Sequence, residues 1–401
     1  MNATFPELNP PVRIMLTPGP SLMHPRVYRA MVTPIIGHLD YRFMGVMDEV
    51  QTMLRNVMRT KNKLTIPLSG SGSAAIEAAM INFLEEGDAA IICVAGHFAE
   101  RMAEVATRVG ATVIRVEAPW GQPVDPQKVR EAARGQKIKL IGMVHGETST
   151  GIFQPIAPYR EVADECGALL VVDAVATLAG VPLDVDQDRI DVCFSGTQKC
   201  LSAPPGMAPI TVGPRGEEVL SSRKSKVSSW YLDLTIVQKY WGKDRTYHHT
   251  PPISLIFGLH EALRMVEEEG LEGRWQRHKL HAQALVAGLE GMGLEMVAAP
   301  AHRMITVIAI KAPAGIEEVK VRRRMLDEHN LEIAGGFGQL AGKIFRIGLM
   351  GYGAHRNNVL LVLATLEKVL GEFGFRAPAG AGVVAAERVY AGAHELADVR
   401  T

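Results

Sequence analysis

A single lysine stands just beyond a short buried strand predicted at Asp191–Ser195. Polar residues 196–198 separate that strand from Lys199. Upstream, the apolar run 168–172 leads directly into Asp173. Polar side chains that follow neighbouring strands meet at one edge of a sheet, so this amine and this carboxylate could serve a common ligand. Taken alone, each is more typical of a solvated loop residue or a helix cap.

A Gly/Ser-rich segment, residues 68–75, lies between a predicted strand and an apolar-periodic helix. Small residues let the backbone approach a ligand, and free N–H groups at a helix start favour a phosphate. The segment also fits the dinucleotide-binding fingerprint. However, the acidic residue expected about 20 residues on is Asp88, which precedes the next strand instead of ending it. A nicotinamide site and a plain helix cap remain alternatives at this point.

A phosphate site, a lysine amine and a strand-terminal carboxylate together match the needs of pyridoxal phosphate. The amine attaches covalently to the cofactor aldehyde, and the carboxylate keeps the pyridine nitrogen protonated so that the ring withdraws electrons. The segment Gly146–Gly151 also follows a predicted strand. All these sites can therefore converge at the carboxyl edge of one parallel sheet.

Composition excludes several other classes of protein. The 401 residues include 43 basic and 43 acidic side chains, so no excess charge favours nucleic acid or an anionic membrane. No apolar run is long enough to span a bilayer, and the N-terminus lacks a signal or transit pattern, so we expect a cytoplasmic protein. None of the four cysteines has metal-ligand spacing and no HExxH occurs, so we expect no metal site.

Strands and helices alternate between residues 64 and 213, which predicts an α/β domain with a mostly parallel, seven-stranded sheet covered by helices. Two long helical patterns then lead to a smaller α+β domain, whose predicted strands are 303–310 and 343–350. The Ala/Gly-rich end carries a short possible helix at 384–390. The predicted divisions are an N-terminal arm (1–16), a large domain (17–268), a small domain (269–376) and a C-terminal tail (377–401).

With these residues assembled, the chain resembles the class V, fold type I aminotransferases that use pyridoxal phosphate, nearest to the alanine–glyoxylate and serine–pyruvate group. The resemblance extends from about Leu16 to Leu370. The matching motifs are Thr17-Pro18-Gly19-Pro20, Ser69-Gly70-Ser71-Gly72, His145-Gly146-Glu147-Thr148-Ser149-Thr150-Gly151, Val172-Asp173-Ala174-Val175, Ser195-Gly196-Thr197-Gln198-Lys199, Ala203-Pro204-Pro205-Gly206, Tyr247-His248-His249-Thr250 and Phe345-Arg346-Ile347-Gly348.

The resemblance implies a role for each matching residue. Lys199 holds the cofactor and moves the proton, Asp173 pairs with the pyridine nitrogen, and Arg346 binds the substrate carboxylate with two parallel hydrogen bonds. It also implies a homodimer with shared sites. The further cofactor contacts are Ser71, Gly72, Ser73, Phe98, Thr148, Val175 and Gln198, with Tyr247 and Thr250 from the neighbouring subunit, and the further substrate contacts are Gly19 and His38.

The implied reaction is a ping-pong transamination from alanine or serine to glyoxylate or pyruvate. The alternative is a ureidoglycine–glyoxylate aminotransferase. His38 stands where we expect glutamine in that group, and Phe98 stands where the mammalian alanine–glyoxylate enzymes carry tryptophan.

Two rival functions follow from the same fold or the same phosphate site. A cysteine desulfurase needs a mobile nucleophilic cysteine before its substrate arginine, and no cysteine follows Cys200. A ligand-binding protein without catalysis would not require both Lys199 and Arg346. Both rivals therefore rank below the aminotransferase.

Overall fold

The strands form one large sheet and three small ones. The computed structural model describes residue 5 and residues 7–398. Within these residues the strands are β1 (Ile14–Met15), β2 (Leu64–Ser69), β3 (Ala89–Val94), β4 (Thr112–Glu117), β5 (Ile138–Val144), β6 (Gly146–Glu147), β7 (Ile152–Phe153), β8 (Leu169–Asp173), β9 (Val192–Phe194), β10 (Met207–Val212), β11 (Val307–Lys311), β12 (Leu331–Glu332), β13 (Ala334–Gly335) and β14 (Ile344–Gly348).

The large sheet has seven strands in the order β2-β10-β9-β8-β5-β3-β4. The five strands from β9 to β4 run parallel, whereas β10 is antiparallel to both β9 and β2. Strands β5, β8, β9 and β10 are almost wholly buried, as expected of a sheet that is covered on both faces. The predicted seven-stranded, mostly parallel sheet is confirmed.

The helices pack through apolar faces set by sequence spacing. Along the fourth helix, for example, Ala99, Met102, Ala103 and Ala106 are buried, which is the spacing of one helical face. The helices are α1 (Pro25–Met31), α2 (Tyr41–Met58), α3 (Gly72–Phe83), α4 (His97–Arg108), α5 (Pro126–Ala133), α6 (Ala157–Cys166), α7 (Pro214–Ser221), α8 (Leu234–Trp241), α9 (Ile253–Glu269), α10 (Leu271–Gly291), α11 (Glu318–His329), α12 (Arg356–Glu372) and α13 (Ala381–Asp398). Within residues 7–398, none is long and apolar enough to cross a bilayer.

A second hydrophobic core belongs to the small domain. Its antiparallel sheet has the order β11-β14-β13 and packs with helices α10, α12 and α13. The N-terminal arm joins this domain, because Ile14 pairs with Leu331 and Leu16 is fully buried in the same core. Residues 17–20 come next and lie close to both cores, because Leu16 O accepts a hydrogen bond from Gly348 N and Pro18 O accepts one from Lys199 Nζ.

Two elements of the small domain differ from their predicted bounds. The C-terminal helix extends over Ala381–Asp398, well beyond the predicted 384–390, because its small residues pack closely on α10. Strand β11 begins at Val307 instead of Arg303. Arg303 pairs with Ile152, next to the motif loop of the large domain, so this part of the chain bridges the domains before the strand starts.

Candidate active site

The carboxyl edge of the large sheet borders a cavity of about 410 Å³. The adjacent strands β5, β8 and β9 lead to the motif loop 146–151, to Asp173 and to Lys199 respectively. The opposite wall comes from the small domain and from residues 17–20, which follow the N-terminal arm. The residues that line the cavity are Thr17, Pro18, Gly19, Pro20, Phe98, Thr148, Lys199, Arg322, Glu332, Ile333, Ala334, Gly335, Gly336, Phe337 and Arg346.

Lys199 lies beneath Pro18 and Gly19 and is 9% exposed. Its Nζ donates a hydrogen bond to the carbonyl of Pro18, and its own carbonyl accepts one from Ser21 Oγ at 2.7 Å. Gly19 has φ +113°, and a Cβ there would lie 2.5 Å from Nζ, so only glycine fits this position. Burial, aided by the charge of Arg346, lowers the pKa of Lys199 to about 8. The amine is therefore easier to deprotonate than an exposed lysine.

Asp173 is a buried carboxylate without a cationic partner of its own. Its Oδ1 accepts a hydrogen bond from Val175 N at 2.8 Å, and within residues 7–398 it forms no ion pair. Burial raises the pKa of Asp173 to about 7, although the Val175 N–H acts against that rise. A protonated pyridine nitrogen would supply the missing positive charge, so this residue fits the cofactor.

The start of α3 offers unpaired donors for a phosphate. Ser71 is its N-cap, and within the described chain the backbone N–H groups of Gly72 and Ser73 donate no backbone hydrogen bond. Gly72 faces Val175, whose Cγ2 would lie 3.1 Å from an added Cβ. Nearby, Gln198 Oε1 is buried without a hydrogen-bond partner. Buried polar groups rarely remain unpaired, so this pattern indicates a polar ligand.

Phe98 is the second residue of helix α4 and lines the cavity. The guanidinium of Arg101 lies 5.2 Å from the centre of its ring, and Arg101 Nη1 donates to Ser73 Oγ at 2.8 Å. This contact links the start of α4 to the start of α3. Phe98 can present a flat apolar face to a cofactor ring.

Arg346, on β14, is a buried cation at the far wall of the cavity. It donates from Nε to Gly335 O at 2.6 Å and from Nη1 to Thr148 O at 3.0 Å. The ring of Phe337 lies 4.2 Å from the guanidinium carbon. Burial lowers the pKa of Arg346 to about 10, while Glu147 opposes this, so the side chain stays charged at neutral pH. It forms no ion pair within residues 7–398, which leaves a substrate carboxylate as a suitable counter-ion.

Nine residues of the expected site do not line this cavity. Six of them lie at or near the carboxyl edge of the sheet: Ser71, Gly72, Ser73, Asp173, Val175 and Gln198. The other three, His38, Tyr247 and Thr250, form a separate group. His38 and Tyr247 have ring centres 5.2 Å apart, and Tyr247 Oη lies 3.4 Å from Thr250 Oγ1. Tyr247 is 55% exposed. A separate surface cluster is what residues serving a neighbouring subunit would form, so their role at such a site stays a prediction.

Sequence reasoning gave no role to three side chains around the cavity. Phe337 covers Arg346, Arg101 lies over Phe98, and Glu147 bonds to the start of α4. Two sequence features could have indicated them. One is the run Gly335-Gly336-Phe337-Gly338, and the other is the acidic residue within the His145–Gly151 motif. No group of three or more metal-ligand side chains occurs in the part of the chain that the structure describes.

Comparison with known proteins agrees with this geometry. The family model "Aminotransferase class-V" matches residues 25–350. The (S)-ureidoglycine–glyoxylate transaminase of Bacillus subtilis is 40% identical, over 98% of this chain and 99% of its own. The crystal structure of ureidoglycine–glyoxylate aminotransferase from B. subtilis is 42% identical and has a TM-score of 0.94, covering 96% of this chain and 100% of that chain. That of alanine–glyoxylate aminotransferase from Nostoc sp. is also 42% identical, with a TM-score of 0.90 and 92% and 98% covered. The chain belongs to the class V aminotransferases of fold type I, and its cofactor is pyridoxal 5′-phosphate.

Proposed function

We propose that this aminotransferase moves the amino group of a small L-amino acid, alanine or serine, to glyoxylate or pyruvate in a cytoplasmic homodimer. The observation that carries the proposal is the buried guanidinium of Arg346, which has no acidic partner within residues 7–398 and lines the same cavity as Lys199. Both substrates of such a reaction carry an α-carboxylate, and one site must bind them in turn.

Each residue has a defined task in this proposal. Bound pyridoxal phosphate withdraws electrons from the substrate α-carbon. Asp173 keeps the ring nitrogen protonated, and Arg346 fixes the carboxylate so that the α-hydrogen points toward Lys199. Lys199 Nζ takes that proton and returns it to the neighbouring carbon, a transfer suited to an amine whose pKa is about 8.

The cavity favours a donor with a small or neutral side chain. Besides Lys199 and Arg346, the one cation among its lining residues is Arg322, which is paired with the buried carboxylate of Glu318. Phe98 and Phe337 supply apolar surface. A donor with a second carboxylate would have to compete with Glu318 for its counter-ion, so acidic amino acids should be poor donors.

(S)-Ureidoglycine is the second candidate donor. The observation that favours it is the full-length match to the B. subtilis enzyme, which extends over 98% of this chain and 99% of the relative. The residue that separates the two candidates is His38, which lies beside Tyr247 on the exposed face. A donor with a urea group needs several hydrogen-bond partners, whereas alanine needs none beyond the carboxylate and amine.

The test is the visible absorbance of the purified enzyme with L-alanine, L-serine, (S)-ureidoglycine or L-aspartate, each without an acceptor. We expect alanine or serine to bleach the band of the bound cofactor, and glyoxylate to restore it. Bleaching by ureidoglycine alone would replace the first candidate with the second. Bleaching by aspartate as fast as by alanine would overturn the argument from Arg322 and Glu318.

A further inference from the structure

Helix α4 begins without a capping side chain of its own. Its N-cap is Gly96, so the first N–H groups of the helix must find acceptors elsewhere. His97 N donates to Ser149 Oγ at 3.0 Å. Phe98 N and Ala99 N both donate to Glu147 Oε2, at 3.1 Å and 3.3 Å. The motif loop that follows β5 therefore caps α4 from a distant part of the chain.

Glu147 is fully buried, and the hydrogen bonds of its carboxylate all go to the start of α4 or to Ser149 of the capping loop. Its second oxygen, Oε1, accepts hydrogen bonds from Ser149 Oγ at 2.6 Å and from Ser149 N at 3.1 Å. Burial raises the pKa of Glu147, and the four hydrogen bonds and the helix dipole favour its charged form. Glu147 does not line the active-site cavity. Its carboxylate is directed toward the start of the helix.

The side chains of Glu147 and Ser149 fill the space beside Gly96 at the cap. A Cβ on Gly96 would lie 2.4 Å from Ser149 Oγ and 2.6 Å from Glu147 Cγ. Any other residue at position 96 would push the loop away from the helix. In the same loop, the carbonyl of Thr148 accepts a hydrogen bond from Arg346 Nη1. One short segment thus contacts both the start of α4 and the substrate arginine.

We propose that Glu147 is a positioning residue that fixes the ring of Phe98 against the cofactor. The proposal rests on the cofactor contact assigned to Phe98 above. Because Phe98 N is bonded directly to Glu147, the carboxylate sets where the first turn of α4 begins and therefore where the ring lies. A cap with a purely structural role would stabilise the helix without changing how tightly the cofactor binds.

The experiment is a double-mutant cycle with Glu147→Ala and Phe98→Ala. The cofactor-free proteins are titrated with pyridoxal phosphate, and binding is followed by tryptophan fluorescence and by the visible circular dichroism of the bound ring. We expect each single variant to weaken binding about five- to tenfold, the value of one aromatic contact, and to reduce the dichroism. The double variant should bind pyridoxal phosphate as tightly as the single variant that has the lower affinity.

Two further variants separate positioning from stability. Glu147→Gln keeps an oxygen acceptor for Phe98 N and Ala99 N, so binding should stay within about threefold of the wild type. Asp125→Ala is the matched control, because Asp125 caps α5 through Gln127 N at 2.9 Å but lies outside the cavity lining. It should lower the melting temperature and leave cofactor affinity unchanged.

The outcomes distinguish the cofactor contact of Phe98 from the positioning role of Glu147. If Phe98→Ala weakens binding and the losses multiply in the double variant, Glu147 does not act through Phe98 and the proposal is overturned, while the cofactor contact stands. If Phe98→Ala has no effect, that contact fails and the proposal fails with it. If Glu147→Ala does not fold, Gly96→Ala replaces it in the cycle with the same expectation, because the added Cβ displaces the carboxylate.

Discussion

Burial acts in opposite directions on the pKa values of Lys199 and Asp173, the two ionisable residues proposed to contact the cofactor. It lowers the pKa of Lys199 from 10.5 to about 8 and raises that of Asp173 from 3.8 to about 7. Between pH 3.8 and 7 the folded, cofactor-free protein binds more protons at Asp173 than the unfolded chain does. The contribution of Asp173 to stability therefore falls as pH rises through this range. In the proposed complex, the protonated cofactor nitrogen would remove that penalty by giving the carboxylate a positive partner.

The lowered pKa of Lys199 predicts how the cofactor-free protein reacts with acetic anhydride. The neutral amine is the reactive form, so labelling of Lys199 should increase with pH and reach half its maximum near pH 8. Because the charge of Arg346 lowers this pKa, Arg346→Gln should move the Lys199 midpoint upward. Peptide mass spectrometry measures the labelled fraction of Lys199 at each pH. A midpoint for Lys199 near the value of a free lysine side chain, about 10.4, would contradict the prediction.

Arg346→Lys tests the geometry of carboxylate binding while keeping the charge. Lysine cannot form two parallel bonds to one carboxylate, and it cannot stack on Phe337 as a planar guanidinium does. We expect the KM values for the amino donor and for the acceptor to rise together, by about ten- to a hundredfold, with a smaller change in kcat. Steady-state kinetics with each substrate varied in turn provides the measurement. A change in only one of the two KM values would show that Arg346 does not serve both half-reactions.

At the scale of elements, the C-terminal helix is part of the small domain core. Tyr390 of α13 is 3% exposed, and its hydroxyl lies 2.9 Å from Nδ1 of His281 on α10. The two helices approach closely where Gly288 meets Gly382: a Cβ on Gly288 would lie 2.7 Å from Gly382 O and 2.4 Å from Leu363 Cδ1. This contact requires the smallest residue on α10, since backbone lies directly opposite.

Two glycines of α10 therefore predict opposite responses to the same substitution. Gly288→Ala should destabilise the protein by about 1–3 kcal/mol, because the methyl group meets Leu363 and the backbone of α13. Gly273→Ala has nothing within 4 Å of its Cβ and should leave stability unchanged or raise it by up to about 1 kcal/mol through helix propensity. Chemical unfolding of both variants gives the comparison. Equal stabilities would contradict the close packing of α13.

The bounds of most elements follow from local sequence, and the exceptions have a tertiary cause. Buried strands such as Ile138–Val144 are apolar except at Lys139, so their sequence alone indicates their limits. Helix α13 is Ala/Gly-rich, so its local sequence predicts only a short helix. Its full length depends on packing against α10. Strand β11 starts late because Arg303 pairs with the other domain, a contact that no local pattern encodes.

At the scale of the whole molecule, the motifs identified residues that lie together but not the contacts that support them. Lys199, Thr148 and Arg346 each belong to a short motif and line one cavity, whereas their chemical roles stay predictions. The bond between Glu147 and Phe98 joins residues 49 apart in sequence and exists only because β5 lies beside β3 in the sheet. Such contacts depend on the order of strands, which a single sequence does not specify.

A mixing experiment tests whether two subunits share each site. Lys199→Ala removes the reactive amine, and Tyr247→Ala with Thr250→Ala removes the contacts proposed for the partner's phosphate. Each homodimer should be inactive or nearly so at limiting cofactor. A hybrid dimer of the two variants would contain one site with both defects and one with neither. We expect activity to appear after subunit exchange, approaching about a quarter of wild type in a statistical mixture.

Light scattering on the same samples measures whether they are dimers, and mixing each variant with itself is the control. Absence of any gain in activity from confirmed hybrids would show that Tyr247 and Thr250 act within their own subunit.

The pairing of the N-terminal arm also has a consequence for synthesis on the ribosome. Residues 14–16 leave the ribosome first, but their partners, Leu331, Glu332 and Gly348, follow more than 300 residues later. At about 5–20 residues per second, the arm waits roughly 15–60 s for them. The large sheet, complete by Val212, can form during that interval. Because Leu16 is held by Glu332 and Gly348, we expect the loop at Pro18 and Gly19 to cover Lys199 only after the small domain has been synthesised.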